Sequence, residues 1–276
     1  MAISAQDVNK LRQMTGAGMM DCKKALVEAD GDFDKAIEIL RKKGQKISAS
    51  RSDRETNEGT VFVKSSDDHK EAVLISLNCE TDFVAKNEEF QKTGESILNV
   101  AFNEKPATIE DLKKLKLGSL TVEEKLTELV GKIGEKIDIG AYERMTGDMV
   151  VSYVHAGSRL GVLVELANVG GDAADAGRDV AMQIAAMKPV AVDEAGVDEA
   201  TKEREMEIGR EQARAEGKPE NILDKIAEGK LKKFYKDNTL VHQPFVKDNS
   251  LSVAQYLDSV SKGMKVVNFK RVSVSE

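Results

Sequence analysis

Three apolar runs lie within the first fifty residues, the first and third of them at helical spacing, and polar or glycine-containing segments separate the three runs. Ser4 and Asp7 form a capping-box pattern just before the first run. The apolar positions are Val8 and Leu11, then Ala25 and Leu26, then Phe33, Ala36, Ile37 and Leu40. We therefore predict a three-helix module over residues 1–50, followed by a polar linker over residues 51–58.

The remainder of the chain contains the same order of elements twice. Each copy begins with two apolar runs typical of a β-hairpin. A helix follows that ends at a proline, Pro106 or Pro189, and a last strand has a Gly-x-Lys-apolar entry. The pattern predicts a duplicated α+β core. Its first copy spans residues 59–145, and its second spans residues 146–189 and 236–276.

A charged segment, residues 190–235, interrupts the second copy. Two helical runs on either side of Gly217-Lys218-Pro219 predict an antiparallel helical hairpin. The seam positions of its first helix are too polar for a strong coiled coil: Val197, Thr201, Arg204 and Ile208. A solvated arm is therefore favoured over a partner-binding zipper, although the hairpin also offers a surface through which two copies of the chain could pair into a homodimer.

Composition removes several classes of function. The formal net charge is −7 and aromatic residues make up 4% of the chain, which disfavours nucleic-acid binding through phosphate contacts and base stacking. The two cysteines and three histidines lack metal-ligand spacing, and no apolar run is long enough to span a bilayer. The chain has neither a signal-peptide pattern nor a cluster of catalytic groups. We expect a cytoplasmic protein that is not an enzyme and has no metal, cofactor or membrane contact.

The segment Cys79-Glu80-Thr81-Asp82-Phe83-Val84 is the strongest candidate for function. It follows an apolar strand, so an aromatic ring and a carboxylate lie together on a short turn, where they suit an anchor for a protein partner. The alternative is that Phe83 covers the core and Asp82 caps the next helix. The second copy has no aromatic at the corresponding place, Asn168-Val169-Gly170-Gly171-Asp172. This difference strengthens the case for the anchor, because a ring needed only for folding should occur in both copies, and it leaves both alternatives open.

Two adjacent methionines, Met19 and Met20, mark a second candidate surface. Both cannot point into a core from one helical turn. Either one is buried while the other covers a seam, or both form a soft hydrophobic contact surface. The preceding Gly16-Ala17-Gly18 lacks the third glycine and the lysine of nucleotide-binding loops.

Several longer motifs carry a family resemblance. They are residues 11–26, which include Thr-Gly-Ala-Gly-Met-Met, residues 78–86, which include Glu-Thr-Asp-Phe-Val, residues 132–135, residues 155–164 and residues 243–246. On these motifs the chain resembles the bacterial elongation factor Ts family over essentially its whole length. The resemblance implies a ubiquitin-associated-like helical module, a duplicated α+β core and a helical-hairpin insertion.

The resemblance also implies a function, guanine-nucleotide exchange on elongation factor Tu, the GTPase that delivers aminoacyl-tRNA to the ribosome. It implies that a turn intrudes into the GTPase domain and disturbs the magnesium site that helps to hold GDP; the matching residues are Thr81, Asp82, Phe83 and Val84. Docking to the same domain is implied for Arg12, Met19, Met20 and Lys23. Further partner contacts are implied at Ile133, Gly134 and His155. Composition alone leaves one rival, a non-catalytic interaction scaffold built on the ubiquitin-associated-like module.

Overall fold

Three helices form the N-terminal module: α1 (Ala5–Thr15), α2 (Met19–Glu28) and α3 (Phe33–Ser50). The structure is a computed structural model and describes residues 3–275. The capping box predicted at Ser4 and Asp7 is confirmed, because each residue's side chain accepts a hydrogen bond from the other's backbone amide. The three helices pack around buried Leu11, Cys22 and Leu26.

The first core copy follows directly. Its elements are β1 (Glu58–Ser65), β2 (Glu71–Cys79), α4 (Asp82–Ala85), α5 (Glu88–Glu104), α6 (Ile109–Lys114), β3 (Lys116–Leu117), β4 (Leu120–Thr121), α7 (Val122–Ile133) and β5 (Ile137–Thr146). The three long strands form an antiparallel sheet in the order β1-β2-β5. The predicted last strand begins later than its Gly-x-Lys entry, since Gly134 has a left-handed φ of 82° and ends α7.

The second core copy repeats this plan around the insertion. Its elements are β6 (Met149–Val154), β7 (Leu160–Ala167), α8 (Ala173–Met187), α9 (Glu199–Ala215), α10 (Leu223–Asn238), β8 (Pro244–Phe245), β9 (Asp248–Ser252), α11 (Val253–Val260) and β10 (Lys265–Ser273). The long strands pair antiparallel in the order β10-β7-β6. In both copies the last strand thus pairs with the second strand of the hairpin. The fold class predicted from the sequence, a duplicated α+β core behind a helical module, is confirmed.

The helix ends also repeat between the copies. Helix α5 ends at Lys105 and helix α8 at Lys188, and both lysines have left-handed backbones with φ of 51° and 46°. Each is followed by the proline that the sequence pattern identified, Pro106 or Pro189. Proline cannot continue a helix, so the two copies terminate this helix in the same way.

The two sheets pack against each other through a shared apolar layer that includes Val61, Leu74, Val150 and Leu163. The outer side of the first sheet is covered by α5 and α7 around Phe90 and Ile97. Burial of these side chains is the main stabilising contribution to the core. No helix within residues 3–275 is long and apolar enough to cross a membrane.

The insertion forms an antiparallel hairpin of α9 and α10, but its seam differs from the one predicted. Arg204 and Ile208 are exposed, and the helices meet instead through small residues. A Cβ built at Gly209 would lie 3.0 Å from the Cα of Ala227, and Ala213 is fully buried. Close approach at small residues makes the seam tight, and Leu223 at the start of α10 is buried as well.

Candidate protein-interaction site

The turn after β2 exposes one apolar side chain and buries the two residues that follow it. Helix α4 is a single turn, and the Thr81 side chain accepts a hydrogen bond from the amide of Val84 at its start. Val84 and Ala85 point into the core at 7% and 8% exposure, whereas Phe83 is 82% exposed. The interpretation of Phe83 as a core-covering residue is therefore wrong.

Asp82 is not the cap of either flanking helix. Thr81 caps α4, and Asn87 caps α5 by accepting hydrogen bonds from the amides of Glu89 and Phe90. The Asp82 carboxylate instead pairs with Lys86 at 2.7 Å. The hydrogen bond from Lys86 lowers the pKa of Asp82 below its ordinary value. An anionic group therefore accompanies the exposed Phe83 ring.

A carboxylate distant in sequence holds the start of this turn. Glu135 accepts two hydrogen bonds from Thr81, one from the backbone amide at 3.0 Å and one from the hydroxyl at 2.8 Å. Glu135 is not among the site residues predicted from the sequence. Its only signal was its place at the end of the Lys132-Ile133-Gly134-Glu135 motif.

Glu80 joins the same two segments as Glu135 does, but here the carboxylate lies at the end of β2 and a donor lies in the segment after α7. It accepts hydrogen bonds from the backbone amide of Lys136 at 2.6 Å and from Arg51 at 2.9 Å. The Lys136 amide and Arg51 lower the pKa of Glu80 below its ordinary value, against an opposing effect of burial. The strand end and the segment after α7 are therefore cross-linked in both directions.

Cys79 lies beneath the turn as a buried thiol. Its Sγ–H donates to the carbonyl oxygen of Thr81 at 3.1 Å. Burial, with the nearby charges of Glu135 and Glu58, raises the pKa of Cys79 to about 12. The group is therefore a neutral thiol near pH 7 and acts as a packing residue, because the reactive form of cysteine is the thiolate.

The second candidate surface is also exposed. Met19 and Met20 are 54% and 63% exposed at the start of α2, so the alternative in which one of them is buried is wrong. Arg12, on α1, and Lys23, one turn further along α2, are exposed as well. Met14, which is not among the predicted contact residues, is exposed as well. Methionines on an exposed face suit an adaptable apolar contact.

Lys132 lies where the N-terminal module meets the first core copy. Its ammonium contacts Glu89 at 2.7 Å and Glu128 at 2.9 Å. It also lies under the loop before Met19, since a Cβ built at Gly16 would be 2.6 Å from Lys132 Nζ. Burial disfavours the charged form of Lys132, but the two carboxylates outweigh it and leave the pKa of Lys132 above its ordinary value.

The remaining predicted residues lie in two different places. Ile133 and Gly134 are half-buried at the end of α7, directly before Glu135. His155 is exposed in the β6–β7 hairpin of the other core copy, with its Nδ1 2.9 Å from the Tyr153 hydroxyl. Ile133 and Gly134 are thus adjacent to the segment that holds the turn, whereas His155 belongs to a separate part of the surface.

The candidate groups described within residues 3–275 are exposed side chains that suit protein contact. No group of three or more His, Cys, Asp or Glu side chains in this part of the chain could hold a metal ion. The site instead consists of the exposed Phe83 ring on a hydrogen-bonded turn and of the exposed surface of Met19 and Met20, here called the methionine face.

Comparison with known proteins places the chain in a family. The sequence profile described as Elongation factor TS matches residues 80–276. The elongation factor Ts of Amoebophilus asiaticus is 58% identical over 277 residues, covering 99% of each chain. The chain belongs to the elongation factor Ts family.

Other members of the elongation factor Ts family align along the same length. Those of Cytophaga hutchinsonii and Porphyromonas gingivalis are 58% and 49% identical and cover 99% and 100% of this chain, respectively, and 99% of their own sequences. The N-terminal module lies before the profile match but within these alignments. Membership in this family supports a role in translation elongation during protein biosynthesis.

Proposed function

We propose that the protein is a guanine-nucleotide exchange factor for elongation factor Tu. It binds the GDP-bound GTPase, promotes GDP release and leaves the nucleotide site free for GTP. The observation that carries the proposal is the exposed Phe83 ring on a turn whose next two residues, Val84 and Ala85, are buried in the core. The family membership supplies the partner. The place of action is the cytoplasm, where ribosomal elongation occurs.

The proposed mechanism needs no catalytic group. Phe83, with Thr81, Asp82 and Val84, inserts beside the magnesium site of the GTPase. Magnesium requires a near-ideal octahedral arrangement of oxygen ligands, so a small displacement of the partner's ligands weakens its hold on the ion and on GDP. By linkage, bound nucleotide weakens the affinity of the GTPase for the exchange factor by the same factor. The protein therefore acts as an interaction partner and not as an enzyme.

Two further contacts complete the proposal. The face formed by Arg12, Met19, Met20 and Lys23 docks onto the GTPase domain. Ile133 and Gly134 contact it beside the turn, and His155 faces another part of the partner. The exposed methionines support the docking assignment, because flexible apolar side chains adapt to a partner surface.

The test is release of a fluorescent GDP analogue from elongation factor Tu. The loaded GTPase is mixed with excess unlabelled GDP and a series of concentrations of the protein, and the decay of fluorescence gives the release rate. We expect acceleration by substoichiometric protein. A stable complex without acceleration would instead support the rival function, an interaction scaffold.

A further inference from the structure

We propose that Glu135 is the positioning residue of the Phe83 turn. Its carboxylate holds Thr81 and thereby fixes the orientation in which Phe83 meets the partner. The inference deepens the proposed exchange function and rests on it.

The geometry of the turn leaves Thr81 as the residue that decides where Phe83 points. Val84 and Ala85 anchor the far side of the turn in the core. On the near side the chain leaves β2 at Cys79. The exposed Phe83 ring is not held in place by packing in the core. The position of Phe83 therefore depends on the backbone of Thr81, which begins the helical turn.

Glu135 determines the Thr81 conformation through two bonds at once. Both carboxylate oxygens accept from Thr81, at 3.0 Å from the amide and 2.8 Å from the hydroxyl. Hydrogen bonds to an ionised acceptor are stronger than neutral ones, and two parallel bonds also fix the direction of the donor residue. The same hydroxyl oxygen accepts from the Val84 amide, so the Glu135 contact is transmitted to the helical turn.

The Glu135 side chain is itself well supported. It follows Gly134, whose left-handed backbone ends α7, and precedes Lys136. The Lys136 amide donates to Glu80, and its side-chain ammonium donates to the carbonyl oxygens of Ser52 and Arg54 in the linker. The carboxylate is therefore presented from a segment that is fixed to the core and to the linker. A preorganised turn meets its partner at a lower entropic cost than one that must order on binding.

The experiment compares Glu135→Gln with Glu123→Gln in the full-length protein. Glutamine has the size of glutamate, but its side-chain NH2 group cannot accept a hydrogen bond. One of the two Thr81 donors therefore loses its acceptor. Glu123 is an exposed carboxylate on α7, so its substitution makes the same change of charge without touching the turn. Release of fluorescent GDP is measured over a range of concentrations of each variant. Hydrogen exchange at the amides of residues 81–84 is measured in the free protein.

We expect the Glu135→Gln protein to lose about tenfold in saturating release rate, the effect of weakening a charged hydrogen bond. Its half-saturating concentration should change by less than the rate, because the methionine face is intact. Exchange at residues 81–84 should become faster, and Glu123→Gln should behave as wild type in both measurements. If Glu135→Gln does not fold, Thr81→Val removes both hydrogen bonds of the hydroxyl, the one to Glu135 and the one from the Val84 amide, and keeps the amide bond to Glu135. It should reduce the saturating rate and speed hydrogen exchange in the same direction.

Three outcomes decide the inference. A normal saturating rate for folded Glu135→Gln would overturn it while leaving the exchange function intact. A reduced rate with unchanged hydrogen exchange at residues 81–84 would also overturn it, because Glu135 would then act by direct contact with the partner. If the wild-type protein does not accelerate GDP release from elongation factor Tu, the exchange function fails. Faster hydrogen exchange at residues 81–84 in free Glu135→Gln would still show, in that case, that the carboxylate holds the turn.

Discussion

Gly44 and Gly131 meet where α3 crosses α7. A Cβ built at Gly131 would lie 2.9 Å from the Cα of Gly44, and one built at Gly44 would lie 3.3 Å from the carbonyl oxygen of Thr127. The two backbones are therefore as close as glycine permits. This contact docks the N-terminal module on the first core copy, so the module is held by packing as well as by the linker.

The crossing predicts an unusual effect of Gly131→Ala. Alanine in a helix interior normally stabilises by about 1 kcal/mol relative to glycine. At Gly131 the added methyl group meets backbone, which cannot rotate away, so we expect α3 and α7 to separate and lose protection. Gly229→Ala in α10 is the matched control, since nothing lies within 4 Å of a Cβ at Gly229. Amide hydrogen exchange should become faster in α3 and α7 for Gly131→Ala and slower in α10 for Gly229→Ala. Slower exchange in both variants would contradict the tight crossing.

Phe83 and Val84 provide a second matched pair, because adjacent residues have opposite environments. Phe83→Ala should leave the free energy of unfolding within about 0.5 kcal/mol of wild type. It should cost about 2–4 kcal/mol in exchange activity as the loss of a buried interface anchor. Val84→Ala should instead lower the free energy of unfolding by about 1–3 kcal/mol, since it removes buried methyl groups.

Urea unfolding and GDP release measured on both variants check this prediction. The functional role of Phe83 would be refuted by a Phe83→Ala protein that unfolds readily and yet releases GDP at the normal rate per folded molecule.

The sequence predicted the fold class because its signals are local and repeated. The duplicated hairpins, the prolines after α5 and α8 and the capping box at Ser4 all depend on residues close in the chain. The sequence could not decide whether Phe83 is buried, since a one-turn helix offers no periodicity. The comparison between the two copies favoured exposure, and the structure agrees.

Two features depend on contacts that no local pattern reveals. The bond between Thr81 and Glu135 joins residues 54 positions apart. The seam of the hairpin was mispredicted because helical interfaces are usually sought at large apolar residues, whereas α9 and α10 meet at Gly209, Ala213 and Ala227. The two-residue strands β3, β4 and β8 are too short to produce a pattern.

The methionine face predicts a separation of docking from exchange. Replacing both Met19 and Met20 with alanine should raise the half-saturating concentration for GDP release by about tenfold, the effect of losing roughly 1–2 kcal/mol of apolar contact. The saturating rate should stay near that of wild type, because the Phe83 turn is unchanged. Met187→Ala, which truncates an exposed methionine of the second copy, is the control. A fall in saturating rate without a change in half-saturation would contradict the docking assignment.

Glu80 predicts part of the acid sensitivity of the fold. The amide of Lys136 and the Arg51 side chain lower the folded-state pKa of Glu80, against burial. This contribution to stability is therefore complete above the unfolded pKa of about 4.3 and is lost as the pH falls through the lower folded value. Glu80→Gln removes the titration, so its deficit relative to wild type should be largest near pH 7 and shrink toward pH 3. Urea unfolding of both proteins across this range checks the sign, and a deficit that grows on acidification would contradict it.

We predict that nucleotide exchange does not require the helical-hairpin insertion, the arm formed by α9 and α10. Backbone hydrogen bonds hold the two ends of the insertion together. The Val190 amide donates to the carbonyl oxygen of Asn238 at 2.8 Å, and the Leu240 amide donates to that of Ala191 at 3.0 Å. Replacing residues 199–234 with a short Gly/Ser linker should therefore leave the core folded. The length of the linker matters little, since the cost of loop closure grows only with the logarithm of length.

We expect this arm-less protein to release GDP from elongation factor Tu at the wild-type saturating rate, because the Phe83 turn lies in the other core copy. Any self-association of the free protein should decrease, since the hairpin carries the exposed surface proposed for pairing. Release kinetics and sedimentation velocity of both proteins test the two statements separately. Circular dichroism must first show that only the helical signal of α9 and α10 is lost. A large fall in the saturating rate of a folded arm-less protein would mean that the hairpin takes part in the exchange mechanism. Unchanged sedimentation would show that the hairpin is not the surface through which two copies pair.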